Sequence, residues 1–458
     1  MANLHTHSST ARDMTQGPIM RQLILFALPL MLGNVFQMLY NTVDSVIVGN
    51  FVSKQALAAI GSTTVIVNML VFFFNGFSVG AAVVIGRYFG AKNMEKLHAA
   101  VETTMAATFI LSAVLSVVSV LTVGAMLRFM RTPEDVFADA SLYLKIYLGG
   151  ISGLLIYNMG SGILRAVGDS TRPLYFLILT SVLNIVLDLF FVIVLKTGIA
   201  GAAIATVLAQ FLSATLILVL LTRTKDIYRL SWRELRIDPG ILKKIFAVGM
   251  PAAIQSVITA FSNIFVQGYI NVFGSDVMAG WSSYNKLDQF IMLPMQSMAM
   301  AATTFVSQNI GAGEERRADR GTVSALVLSC GVTGAIAAAL IVFAPWSVRL
   351  FSPDEKVIEY GVLFIRVNTF FLLFNCINHV LAGALRGRGD SRGPMIIMLS
   401  TFVALRQIYL FFVTHYVANT PTLVAFGYPV GWMSCCAIEL AYFYIRRRKR
   451  LQSASRLS

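Results

Sequence analysis

Gly162-Ile-Leu-Arg-Ala-Val-Gly-Asp-Ser-Thr-Arg-Pro173 and Gly383-Ala-Leu-Arg-Gly-Arg-Gly-Asp-Ser-Arg-Gly-Pro394 are near copies of one another. Their starts are 221 positions apart, about half of the 458-residue chain, and Gly90-Ala91 meets Gly311-Ala312 at the same offset. A shared offset at two places marks a duplicated body. In a very apolar chain that is the pattern of a two-lobed transporter.

Hydrophobic residues make up 57% of the chain and charged residues 13%, against the roughly 25% charged that soluble domains carry. This composition belongs to an integral membrane protein. Apolar stretches long enough to cross a bilayer start near residues 19, 53, 97, 136, 172 and 199, then 241, 276, 320, 357, 393 and 422, six in each half. They are continuously apolar rather than alternating, so they predict helices and not barrel strands. The fold expected is an all-α polytopic membrane protein of twelve transmembrane helices in two pseudo-symmetric six-helix bundles. Its divisions would be a tail over 1–18, a first lobe over 19–222, a linker over 223–240, a second lobe over 241–446 and a basic tail over 447–458.

The net charge of +14 is spread in a way that argues against nucleic acid. With a cytoplasmic N-terminus, inside segments collect Arg87, Lys92, Lys96, Arg165, Arg172, the stretch from Arg223 to Lys244, and Arg446 to Arg450, while the outside receives few basic residues. That bias sets both termini in the cytoplasm, with the basic residues facing anionic membrane lipids. No signal peptide is read in Met1 to Gly17, so the first span does the targeting. Cys330, Cys376, Cys435 and Cys436 fall inside apolar runs and read as packing residues. The linker, the one long polar connection in mid-chain, is expected to matter through its length more than its sequence.

A carboxylate in hydrocarbon costs about 2.5 to 3.5 kcal/mol on insertion scales, so those present usually mark a pathway. Asn34, Gln37, Asn41 and Asp44 share one face of a first span that also holds Pro29, a residue that lets a helix bend. Asn184 and Asp188 share a face of the fifth span, and Thr206 offers a hydroxyl on the sixth. Asp44 beside Asp188 would form a site for a proton or a small cation. The acid pair has no counterpart in the second lobe, which instead carries the amides Gln255, Asn263, Asn368, Asn375 and Asn378. Asp288 is open to two readings, a salt bridge with Lys286 or Arg406 and a substrate contact, with Tyr284 and Met292 nearby. Glu439 and His379 are expected to be satisfied structural residues. In the repeated motif, Arg165 with Asp169 and Arg386 with Asp390 are expected to pair and fix a tight turn. No nucleotide-binding Gly-x-x-x-x-Gly-Lys loop and no catalytic constellation is read, so no ATP is expected to be used and the chain is not expected to be an enzyme.

Over nearly its whole length the chain resembles bacterial multidrug and toxic compound extrusion (MATE) transporters. The residues that carry the resemblance are Phe26-Ala-Leu-Pro-Leu30, Asn41-Thr-Val-Asp-Ser45, Gly162-x-Leu-Arg-x-x-Gly-Asp169, Asn184-x-x-x-Asp188, Lys286-Leu-Asp-Gln-Phe290, Gln308-Asn-Ile-Gly-Ala312 and Gly383-Ala-Leu-Arg386. It implies two bundles facing each other across a V-shaped cavity, and a secondary antiporter that exports amphipathic, cationic compounds by alternating access. It also implies a coupling ion, H+ or Na+, held by Asp44, Asn184, Asp188 and Thr206. Some sodium-coupled members use acids on spans seven and ten instead; those positions hold Thr259 and Asn375 here, which argues against a second-lobe cation site and supports the first-lobe reading. The substrate cavity would be lined by Asn34, Gln37, Asn41, Gln255, Asn263, Tyr284, Asp288, Met292 and Asn375. No cofactor is implied, and a monomer is expected. A flippase for lipid or polyprenyl-linked precursors stands as the alternative function.

Overall fold

The computed structural model describes residues 12–455. The expected tail over 1–18 lies outside the described residues up to 11, and the basic tail over 447–458 lies outside them from 456. Among the described residues, ten helices are long and apolar enough to cross a bilayer. Two further pairs, Glu134–Gly149 with Ile151–Ala166 and Glu355–Thr369 with Leu372–Gly387, bend by 46° and 50° at short breaks and make twelve if each pair is one span. Spans are numbered one to twelve below in chain order, with these bent pairs as spans four and ten, Thr171–Val194 and Ile199–Arg223 as spans five and six, and Arg392–Val417 and Pro421–Arg450 as spans eleven and twelve.

The duplication read from the short repeat extends through the whole architecture. Spans one and seven, Ile19–Phe51 and Pro239–Asn271, are each 33 residues long, and spans two and eight, Lys54–Gly90 and Ser275–Gly311, are each 37. Helices that begin at Lys54, Met94, Glu134, Ile151 and Thr171 recur 221 residues later at Ser275, Glu315, Glu355, Leu372 and Arg392. Pro29 interrupts span one and Pro251 interrupts span seven.

Two compact units result: Leu28–Gly249 with the chain up to Met14, and Met250–Ser458 with Thr15–Ala27. Spans one and seven are therefore both divided between units, at 27/28 and at 249/250, and each division falls just before the proline. The start of span seven belongs to the first unit because Gly80 and Gly249 let two backbones meet. A Cβ on Gly80 would come within 2.7 Å of Gly249 Cα, a close approach that small residues permit between membrane helices. Phe246 packs edge-on against Phe77 in the same contact, with ring centroids 4.5 Å apart. In the second unit, the Arg317 guanidinium donates to the Gly17 carbonyl at 2.7 Å and to Gln22 Oε1 at 3.1 Å, which fastens the start of span one.

The connection after span six is packed into a core. Tyr228 and Leu230 are 0% and 1% exposed and join Leu97, Val101, Ile163 and Ile245. The Tyr228 hydroxyl accepts from Arg172 at 3.0 Å and donates to Asp226 at 2.9 Å. At its far end, Asp238 accepts from the Gly240 and Ile241 amides and receives support from Thr103. Beside its length, the connection thus has a packed part whose sequence contributes to the core.

The repeated motif makes the same helix stop twice. The Asp169 amide bonds to the Leu164 carbonyl and the Gly168 amide to that of Arg165, and Asp390 and Gly389 repeat this with Leu385 and Arg386. This is the Schellman pattern, which places a residue with positive φ after the helix. Gly168 and Gly389 take that position at +86° and +77°. The expected pairing within the motif is not formed. Asp169 instead accepts from the Thr171 and Arg172 amides and pairs with Arg172 at 3.4 Å, while Asp390 accepts from Tyr442 and the Gly393 amide. The aspartates thus cap the next helix, whose first amides lack partners of their own. Arg165 turns inward and donates to Ser78 Oγ at 3.3 Å.

Candidate functional site

In the first unit, Asp44 of span one and Asp188 of span five are side-chain neighbours. Both groups are acceptors when ionised. Neither oxygen of Asp188, nor Oδ1 of Asp44, receives a bond from a protein donor, and Asp188 is 0% exposed. Two carboxylates so placed are compatible only if a proton or a cation sits between them. Asn184 lies one turn before Asp188, buried, with both amide atoms unpartnered. Directly after Asp188 the helix widens into π turns over Leu189–Val194, a deformation that often accompanies functional positions.

Three phenols lie near Asp44. Tyr40, Tyr143 and Tyr147 are electrostatic neighbours of Asp44, and Tyr143 of Asp188 as well. Tyr143 stacks on Tyr147 at 6.0 Å, and the Tyr147 hydroxyl accepts from Gln210 at 3.2 Å. Gln37 lies one turn before Tyr40 on span one and is its side-chain neighbour. The sequence reading passed over Tyr40, Tyr143, Tyr147 and Gln210, because aromatic residues in apolar helices read as packing. A signal was present: Tyr40 falls between Gln37 and Asp44 on the polar stripe, and Tyr143 and Tyr147 are four apart. Thr206, buried one turn before Gln210, donates to its own helix at Ala202. Asn34, Gln37 and Pro29 are half-buried, and Asn41 is exposed.

The second unit organises its polar residues differently. Arg406, 2% exposed, donates to Ser262 Oγ at 2.7 Å and Asn263 Oδ1 at 2.9 Å, and lies over the Tyr428 ring at 4.7 Å. Asp288 accepts from the Tyr284 hydroxyl at 3.4 Å and forms no ion pair among the described residues. Lys286 is exposed and sits over Phe351. Tyr428 is an electrostatic neighbour of both Asp288 and Arg406. Gln255 and Asn375 are buried, with their amide groups on the sulfurs of Met398 and Met292 at 2.8 and 3.7 Å. Glu439 departs from the satisfied role expected of it: it is 0% exposed, and neither carboxylate oxygen has a protein donor.

The sequence profile described as MatE matches this chain twice, over residues 29–190 and 251–411, once in each half. The chain belongs to the MatE family. Among its relatives are the probable multidrug resistance proteins YpnP and YoeA of Bacillus subtilis (strain 168). YpnP is 30% identical over 95% of this chain and 97% of its own length. YoeA is 28% identical over 94% and 95% respectively. The fold matches a crystal structure described as MATE in the bent conformation, with a TM-score of 0.92 at 22% identity over 98% of this chain and 99% of that one. It also matches MATE in the straight conformation, with a TM-score of 0.88 at 23% identity over 95% and 97%. The MatE chain is thus a multi-pass membrane transporter by family, with the helical fold of the MATE structures.

Proposed function

We propose that this protein is a secondary antiporter that exports amphipathic, cationic compounds in exchange for H+ or Na+ by alternating access. It acts as a monomer in a bacterial cytoplasmic membrane with both termini in the cytoplasm. Export of drugs is supported by the relatives, which carry the name multidrug resistance protein over nearly their full length. Ion coupling is supported by one observation above all, the nearness of Asp44 to Asp188 without any protein donor between them.

In this reading, a cation entering the pair removes the repulsion that holds spans one and five in one arrangement. Span one then bends near Pro29, where the missing amide leaves the helix pliable. Asn184 and Thr206 complete the ion's surroundings, and Tyr40, Tyr143 and Tyr147 shield the site. Asn34, Gln37 and Asn41 carry the change toward the substrate, whose cavity draws on Gln255, Asn263, Tyr284, Asp288, Met292 and Asn375. Ion and substrate favour different states, which is the requirement for exchange.

The test is dye efflux from proteoliposomes with proton and sodium gradients imposed separately. Asp44→Asn and Asp188→Asn should each abolish gradient-driven efflux and leave the melting profile of a folded protein. Undiminished efflux by either variant removes the coupling role. Movement of a labelled lipid in place of the dye would favour the flippase reading.

A further inference from the structure

The second unit holds a buried acid that the mechanism above does not use. Glu439 of span twelve is 0% exposed and neither oxygen accepts a hydrogen bond from the protein. The group nearest in charge is Arg386 of span ten, which interacts with Glu439 through space and forms no ion pair with it among the described residues. His379 lies two turns from Arg386 and is its electrostatic neighbour. Asn375, His379 and Arg386 fall on one face of span ten, spanning about 16 Å of helix. Along span ten, Asn375 Oδ1, Asn378 Oδ1 and Arg386 Nε are likewise buried without partners.

Unmatched donors and acceptors in apolar surroundings are costly, and here they lie on two packed helices. An ionised Glu439 without donors bears the full cost of burial, whereas a protonated one bears far less. The charge on Arg386 favours the ionised form. Taking up a proton relieves the cost of the buried charge, as a proton-binding site requires.

The other groups around Glu439 do not neutralise it. Its own helix contributes Cys435 and Cys436. The stretch Leu399–Leu405 and the short helix Pro421–Ala425 contain no acid or base. Arg406 is engaged with Ser262 and Asn263, Arg392 is exposed, and Tyr442 and Arg446 are tied to Asp390.

We propose that Glu439, paired through space with Arg386 of span ten, is a second proton-binding site, contained within the second unit. The proton adds to a carboxylate oxygen of Glu439 and leaves again to water, with no other bond made or broken. Its place in a transport cycle rests on the antiport reading above, but proton uptake itself does not.

The experiment is infrared difference spectroscopy of the reconstituted full-length protein between acidic and alkaline pH, read at the carbonyl band of protonated carboxyl groups. Glu439→Gln should remove one component of that band. Glu439→Asp should restore a component at a shifted frequency, and Asp44→Asn/Asp188→Asn should retain the wild-type one. A Glu439→Gln spectrum identical to wild type, or a Glu439→Asp spectrum superimposable on it, overturns the proposal. Efflux that survives in the Asp44→Asn/Asp188→Asn variant while the Glu439 component persists would instead overturn the first-unit coupling and leave this site standing.

Discussion

The duplicated turns offer a matched comparison of single residues. Lys92 has φ of +53° where its counterpart Gly313 has +79°. A side chain in that region costs about 1–2 kcal/mol. Lys92→Gly is therefore expected to raise thermal stability slightly, and Gly313→Ala to lower it by about 1 kcal/mol, in melts of purified protein. Gly168→Ala should cost more than Gly313→Ala, because a Cβ there also strikes the Arg12 carbonyl, while nothing lies within 4 Å of the Gly313 position. Equal losses at the two glycines would mean that the Arg12 contact carries no weight. Asp44 and Asp188 were legible in the sequence because a carboxylate in an apolar run is conspicuous. Their tyrosine neighbours were not, since a phenol belongs equally well to a core. Pairing within the Leu-Arg-x-x-Gly-Asp repeat was misjudged because four residues of helix separation brings side chains together only where the helix continues, and here it stops at Gly168 and Gly389.

Among elements, the connection after span six and the bend of span one lend themselves to test. Leu230→Ala should destabilise the first unit by about 2–4 kcal/mol through the cavity it leaves. Tyr228→Phe removes one hydrogen bond each from Arg172 and Asp226, which keep Asp169 and Thr224 as partners, and should cost about 0.5–1.5 kcal/mol. Alanines at the exposed Arg233 and Glu234 should change stability by less than about 0.5 kcal/mol. A flat response across all four would restore the view of this connection as a spacer. Pro29→Ala should raise the melting temperature, since it returns a backbone hydrogen bond, and should slow transport, measured as initial efflux rate. An unchanged rate argues against bending at that residue. Helix number and limits were readable from apolar run length, whereas burial of Tyr228 and Leu230 was hidden inside a segment whose charges advertise a surface loop.

For the molecule as a whole, the 221-residue repeat predicted the architecture more completely than any motif, because helix starts are set by local breaks that the duplication copied together. Chemistry followed no such copying: the acid pair sits in one unit and Glu439 in the other. The division of spans one and seven between units has its own outcome for assembly. A cut in the exposed stretch near residues 232–237 would leave each fragment holding a helical end that the other fragment's core requires. Neither piece alone can complete its own interior, so the halves are expected to mature only as reciprocal lodgers, each seating the first turns of its own leading helix in its companion's core.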